Sequence, residues 1–294
     1  MCAADRVRSG LLNGMNERRQ RRRIRDQARI RRSLSIVPSL FTIGNIFCGY
    51  YSIISTFRGN WDHAAILIGV GYILDGLDGR IARLTKTASE FGVELDSIAD
   101  VVTFGVAPAI LAFSWGFGAS EGIDGSVAKH VHQLGSVASF AFVVCGALRL
   151  ARFNLQTKKP PETSSKRYFV GLPIPAGAGM IAAVVHFFKT PTLLIGSALM
   201  WALLILLLAF LMISTVRYPS FKEFDVKKAK PSLALFVTAM LISLVIFYSE
   251  EMLLAIAAIY VSSGLIGKLV QTVRRFLPGS VPASSEPAHG NIKS

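Results

Sequence analysis

Apolar residues run along this chain in eight long blocks, near residues 36–57, 62–84, 93–116, 134–154, 172–188, 193–215, 231–249 and 251–271. Polar and charged residues gather between them. A helix rises about 1.5 Å per residue, so a block of about 20 apolar residues spans the roughly 30 Å hydrocarbon core of a bilayer. Gly and Pro interrupt several blocks, and Glu250 and Glu251 divide residues 231–271 into two segments. The pattern predicts an all-α polytopic bundle of about eight transmembrane helices. The residues before the first block are charged rather than apolar, so no cleavable signal peptide is expected and the first span acts as the targeting signal.

Composition agrees: 52% of residues are hydrophobic and 17% charged, outside the usual soluble balance. Charge then sets an orientation. The tail up to residue 35 holds eleven arginines against three acids. With that tail cytoplasmic and eight alternating spans, Arg58, Lys129 and Lys189 fall outside, leaving 29 of the 32 basic residues inside. The positive-inside rule is satisfied at every crossing, with both termini cytoplasmic. A basic juxtamembrane segment beside anionic lipid accounts for the net charge of +14, and no nucleic-acid partner is expected. The expected domains are a basic tail at 1–35, a six-helix core at 36–215, a loop and two further helices at 216–271, and a disordered cytoplasmic tail at 272–294. Cys48 and Cys145 fall in predicted helices as small hydrophobes, and no cysteine pair suggests a disulfide. His130 and His132 are read as part of the longest outer loop, solvated rather than metal-binding.

Four acids break the apolar pattern. Asp75 and Asp78 are spaced i,i+3, and Asp96 and Asp100 i,i+4, so each pair shares one face of its helix. A carboxylate at membrane depth costs roughly 2.5–3.5 kcal/mol, so four of them need compensation. Two such faces turned toward each other make a cage of carboxylate oxygens suited to Mg²⁺ or Mn²⁺. A structural network neutralised by Arg80 and Arg83 is the competing reading. Small residues at Gly79 and Ala82 let a ligand approach the helix closely, and Arg83 lies on the same face to meet a phosphate. Gly92 opens the second helix, where unpaired amides can face an anion. Together these residues describe a metal–pyrophosphate site.

The string D-x-x-D-G-x-x-A-R, eight residues, then G-x-x-x-D-x-x-x-D occupies residues 75–100. It resembles the signature of the CDP-alcohol phosphotransferases, and the chain fills all eight fixed positions. The resemblance implies a six-helix core over roughly residues 36–215 and a particular reaction. A substituted phosphoryl group passes from a CDP-linked lipid to an alcohol, with release of CMP. It assigns Asp75, Asp78, Asp96 and Asp100 to two divalent cations and makes Asp100 the proton acceptor. Gly79, Ala82, Arg83, Ser89 and Gly92 would line the CDP-diacylglycerol pocket, with Ser39, Thr42 and Asn45 from the first helix. Many relatives carry Asn where this chain has Ser39. A homodimer is also implied. No Ser, Cys or His is placed as a covalent nucleophile, so direct in-line displacement is expected.

Three further strings, Asp100–Pro108, Leu148–Asn154 and Phe169–Ala176, resemble the branch of that family whose acceptor is L-serine more than the inositol, glycerol-phosphate or choline branches. Arg149 and Arg152, spaced i,i+3, suit a carboxylate, which serine carries and choline lacks. Snorkelling to the cytoplasmic interface suits Arg152 equally well, whereas Arg149 reads more as a carboxylate ligand. An ion-coupled transporter also places acids within the membrane. A carrier would not need Gly79, Ala82 and Arg83 at fixed offsets beside them.

Overall fold

The polar break at residues 58–60 sets how the bundle begins. The computed structural model describes residues 39–85, 90–118, 125–157, 168–191, 195–219 and 248–276. Helix α1 (Ser39–Phe57) ends on Gly59, whose φ of 74° is the left-handed conformation open to glycine without a Cβ penalty. The Asn60 amide donates to the Ser55 carbonyl and the Gly59 amide to Thr56, the paired bonds of a Schellman turn. Helix α2 (Trp61–Thr85) starts at once, with Asp62 in its first turn at the positive end of the helix dipole. So short a connection leaves α1 and α2 antiparallel neighbours, and the Ser52 hydroxyl bonds the Ala64 carbonyl at 2.9 Å.

The third crossing is not one regular helix. Helix α3 (Glu90–Asp100) passes into a π-helical stretch, Val101–Val106, and then into α4 (Ala107–Phe117). Pro108 explains the change: it has no N–H for the Phe104 carbonyl, and its ring would clash with that carbonyl in an α-helix. The wider turn is closed by the Ala107 amide donating to Val102. Its inward side chains, Thr103 and Phe104, are fully buried. The Thr103 hydroxyl donates to the Asn45 carbonyl of α1 at 2.9 Å.

Helix α5 (Gly125–Thr157) is the longest, at 33 residues. It overturns the expectation that His130 and His132 belong to a loop, since both lie in its early turns. Val131 and Leu134 pack against the core, and the His132 ring meets Phe113 edge-on at 4.7 Å. Apolar anchors on one face keep this stretch helical despite its polar opposite face. Helix α6 (Ile174–Phe188) and helix α7 (Ile195–Ile213) follow, flanked by strands β1 (Tyr168–Val170) and β2 (Arg217–Pro219). The strands pair antiparallel, with Phe169 opposite Tyr218. Gly171 follows β1 at φ 84°, where its amide bonds the Val216 carbonyl at 2.8 Å.

Helix α8 (Ser249–Phe276) extends beyond the expected end of the last span at residue 271. The expected span at 231–249 lies almost wholly outside the described residues. Helix α5 packs along α7, α2 along α6, and α6 along α8. Phe104, Phe142, Leu172, Ile174, Leu208 and Met212 form the fully buried centre. Trp201 meets Trp115 edge-on at 5.0 Å and donates its indole N–H to the Ala112 carbonyl at 2.9 Å. A Cβ on Gly116 would run into the Trp201 ring, so glycine permits this contact. Outside the centre, Phe57, Phe140 and Phe210 are exposed. Helices α1, α5, α7, α8 and the α3–α4 unit are each long and apolar enough to cross a bilayer. Such a surface suits lipid rather than water.

Where α2 starts, α6 ends and α8 starts, one polar strut joins three helices. The His186 ring bonds Asp62 through Nδ1 at 2.5 Å and the Ser249 hydroxyl through Nε2 at 3.0 Å. Beside it, Lys189 pairs with Glu250 at 2.6 Å. That carboxylate raises the affinity of the lysine ammonium for its proton.

Candidate metal and substrate site

Three of the four acids come together. Asp75 and Asp78 stand one turn apart on α2, facing Asp96 and Asp100 on α3. Asp75, Asp78 and Asp96 each offer a carboxylate oxygen, all within 4.8 Å of one another. Asp100 lies within hydrogen-bond reach of Asp75, one helical turn deeper on α3 than Asp96. Asp78 is almost fully buried, and one carboxylate oxygen each of Asp96 and Asp100 is buried without a hydrogen-bond partner. Hard oxygen donors, convergent and partly orphaned in an apolar bundle, fit a divalent cation.

Helix α1 supplies the third wall. The Thr42 hydroxyl donates to Asp78 Oδ2 at 3.0 Å, which helps to fix that carboxylate. Asn45, one turn further along α1, is fully buried with neither amide atom hydrogen-bonded. It sits against Gly71, where a Cβ would come within 3.0 Å of its Oδ1 and 2.7 Å of Thr103 Cγ2. The glycine at 71 and the π-helical stretch after Asp100 therefore bring α1, α2 and α3 together beside the acids. Ser39 is half-buried at the start of α1, and Gly79 and Gly92 are half-buried beside the acidic pairs. The side chains of Ala82 and Arg83, and all of Ser89, lie outside what the structure describes.

Helix α5 faces the cluster from the other side. The Asn154 amide donates to the Ser97 hydroxyl at 2.9 Å, tying α5 to α3 between Asp96 and Asp100. This tie brings Arg149 into electrostatic contact with Asp100, and its guanidinium also stacks 5.7 Å from the Phe153 ring. Arg152 is placed differently. Its guanidinium donates to the Val170 carbonyl at 2.8 Å and more loosely to Ile213 at 3.4 Å, fastening β1 and the end of α7.

Sequence reasoning did not anticipate the Ser97–Asn154 tie or the buried Thr103 hydroxyl. Asn154 ends the Leu148–Asn154 string and Thr103 falls within the Asp100–Pro108 string, but neither string identifies a partner across the bundle.

Carboxylates gathered on facing membrane helices, with an arginine behind them, form a cluster that could hold a divalent cation. Residues 35–211 match the CDP-alcohol phosphatidyltransferase family model, and the chain belongs to that family. It is an integral membrane protein, as the five apolar spans and the family together establish. The chain is 38% identical over 248 residues to the CDP-diacylglycerol–serine O-phosphatidyltransferase of Helicobacter pylori strain 26695, covering 82% of this chain and 94% of that protein. Enzymes of the same name from Bacillus subtilis strain 168 and Methanocaldococcus jannaschii are 36% and 32% identical. Those matches cover 65% and 80% of this chain, and 93% and 95% of the relatives.

Proposed function

We propose that this protein transfers the phosphatidyl group of CDP-diacylglycerol to the hydroxyl of L-serine, giving phosphatidylserine and CMP. The observation that carries the reading is the convergence of Asp75, Asp78 and Asp96 within 4.8 Å, in a chain whose long-range relatives carry the serine-transferase name. In the reaction the serine oxygen bonds to the β-phosphorus, the bond from that phosphorus to the bridging oxygen breaks, and CMP leaves with the bridging oxygen. The serine hydroxyl proton passes to a base.

Asp75, Asp78, Asp96 and Asp100 are the residues that would hold two divalent cations, Mg²⁺ or Mn²⁺. When bound, such ions neutralise the diphosphate and the charge that develops on the leaving CMP. The protein's own part is positioning. Asp100, deepest in the cluster, takes the proton from the serine hydroxyl. Thr42 fixes the Asp78 carboxylate. Gly79, Ala82, Arg83, Ser89, Gly92, Ser39 and Asn45 form the nucleotide and diphosphate side. Arg149, facing Asp100, binds the serine carboxylate near the hydroxyl's base. Arg152, engaged with two backbone carbonyls, holds the neighbouring wall. The site faces the cytoplasm, as the distribution of basic residues favours, and the working unit is a homodimer.

Purified protein in detergent, given CDP-diacylglycerol and serine with Mg²⁺ or Mn²⁺, should release CMP in step with phosphatidylserine. Parallel reactions with inositol, glycerol 3-phosphate and choline should give at most a small fraction of that rate. A preference for any of these over serine overturns the assignment of acceptor. Failure to release CMP with all four overturns the reaction.

A further inference from the structure

Helix α5 runs antiparallel to the α3–α4 unit, and two contacts fix how far along that unit it sits. At the end away from the acids, Gly135 admits the Phe117 ring, since a Cβ there would collide with it. At the end beside the acids, the Asn154 amide donates to the Ser97 hydroxyl at 2.9 Å. Phe117 lies twenty residues after Ser97, and Gly135 nineteen before Asn154, so both contacts belong to one register. They differ in kind. Apolar packing is non-directional and tolerates a small slide, whereas a hydrogen bond weakens steeply with distance and angle. The polar end therefore sets the register.

That bond also has a direction. The Ser97 hydroxyl donates to the Val93 carbonyl of its own helix at 3.0 Å, which leaves its oxygen as the acceptor and Asn154 as the donor. Ser97 follows Asp96 directly and precedes Asp100 by three residues. Asn154 follows Phe153, whose ring lies 5.7 Å from the Arg149 guanidinium. A chain of contacts thus runs from the acid-bearing helix through Ser97 and Asn154 to the turn of α5 that holds Arg149. In this register residues 149–151 are level with Asp100, in agreement with the electrostatic contact between Arg149 and Asp100. The acids have supports of their own. Thr42 bonds Asp78, and Thr103, just beyond Asp100, donates to the Asn45 carbonyl of α1 at 2.9 Å. Loosening α5 leaves both bonds in place and alters the gap between acid and arginine.

We propose that Asn154 is a positioning residue for the acceptor alcohol: its bond to Ser97 sets the gap between Asp100 and Arg149, so that a hydroxy amino acid held by the arginine presents its hydroxyl to the acid. The inference rests on the serine reading above and deepens it, by naming a contact that adjusts the acceptor side without touching the substrate. An amide–hydroxyl pair suits this place because both partners are neutral, so it fixes a distance without adding charge beside the acids.

Asn154→Ala removes the donor of this bond and Ser97→Ala the acceptor. Each variant should bind CMP and require metal as the unaltered protein does, which certifies its fold and nucleotide side. KM for serine should rise about three- to tenfold, the span of a single neutral hydrogen bond, while KM for CDP-diacylglycerol stays within about twofold. The double variant should be no worse than either single one, because the same bond is lost in all three. Ser97→Thr keeps the acceptor oxygen and should restore KM for serine. A tie that serves stability alone would lower the unfolding temperature and leave KM for serine unchanged in the molecules that fold, and that result overturns the proposal. Additive effects of the two substitutions also overturn it, as does an equal rise in KM for CDP-diacylglycerol. If the unaltered protein does not use serine, the parent reading falls first and this one with it. If it does and both single variants keep a normal KM for serine, only this one falls.

Discussion

Two regions of this bundle place charged groups against apolar helices, and they do so by opposite rules. The strut made by Asp62, His186, Ser249, Lys189 and Glu250 pairs each imidazole nitrogen with an oxygen and the ammonium with a carboxylate. It joins α2, α6 and α8, and its polar atoms satisfy one another. The second region sets Asp75, Asp78 and Asp96 within 4.8 Å of one another. Like charges gathered there, with buried oxygens on Asp96 and Asp100 lacking hydrogen bonds, oppose folding. Polar groups that complete one another are a device of architecture. Polar groups that remain incomplete within the chain specify a ligand, and the incompleteness is what identifies the site.

Substitution should separate the two regions most sharply. Asp96→Asn or Asp78→Asn should lower CMP release by at least about 10²-fold, the scale on which catalytic groups commonly act. Yield and thermal stability should hold or rise, since a repulsive charge has been removed. His186→Ala should do the reverse, losing about 1–3 kcal/mol of stability through the unpaired Asp62 and Ser249. Its activity per folded molecule should remain close to normal. Thermal unfolding in detergent alongside the CMP assay measures both. An Asp96→Asn protein with more than about a tenth of normal activity would erase the distinction.

Metal removal sharpens the same contrast. Chelation should abolish turnover, and Mg²⁺ or Mn²⁺ should restore it. Bound metal should also raise the unfolding temperature of the unaltered protein, by about 2.7 kcal/mol of stabilisation at a hundredfold excess over Kd. That increment should vanish in Asp96→Asn and persist in His186→Ala. A metal-induced shift of equal size in both variants would place the ion elsewhere.

The next effect is smaller and tests the acceptor side. Arg149→Gln keeps length and hydrogen bonding but removes charge, and should raise KM for serine at least tenfold, about 1.4 kcal/mol. Lysine there should rescue only in part, because a point charge lacks the planar fork. Arg152→Gln should instead lower stability, since its donors hold the carbonyls of Val170 and Ile213. Comparable serine effects in both would return Arg152 to the substrate.

The acidic site was more legible in the sequence than its surroundings, for a physical reason. Asp75, Asp78, Asp96 and Asp100 lie on two consecutive helices, so helical spacing alone puts each pair on one face, and a short connection turns the faces together. Helices likewise stand at seven of the eight expected positions among the described residues, and five of them have the length and hydropathy of a crossing. Long-range partners follow from tertiary packing. Nothing local tells Arg149 from Arg152, three residues apart on one helix, yet one faces Asp100 while the other fastens a strand. His130 and His132 were placed in a loop because their neighbours are polar, whereas Val131 and Leu134 hold that stretch in α5.

The smallest expected effect concerns the link between α1 and the cluster. The Thr42 hydroxyl is buried and donates to Asp78 at 3.0 Å. Thr42→Val keeps shape and deletes that donor, while the carboxylate stays among its neighbours. A hydrogen bond to a charged acceptor contributes roughly 1.5–3 kcal/mol when lost outright, but a cation at the same carboxylate would offset part of that loss. The expected result is a three- to tenfold fall in kcat/KM, recovered partly by raising the metal concentration. Thr42→Ser, which restores the donor, should behave almost normally. Because Asp78 is nearly fully buried, its freed oxygen has little access to water, so the defect should appear as weaker metal binding more than as slower chemistry. A fall in rate that added metal does not relieve would mean that Thr42 serves the nucleotide directly. The hydroxyl would then belong to the substrate side proposed for Ser39 and Asn45 on the same helix.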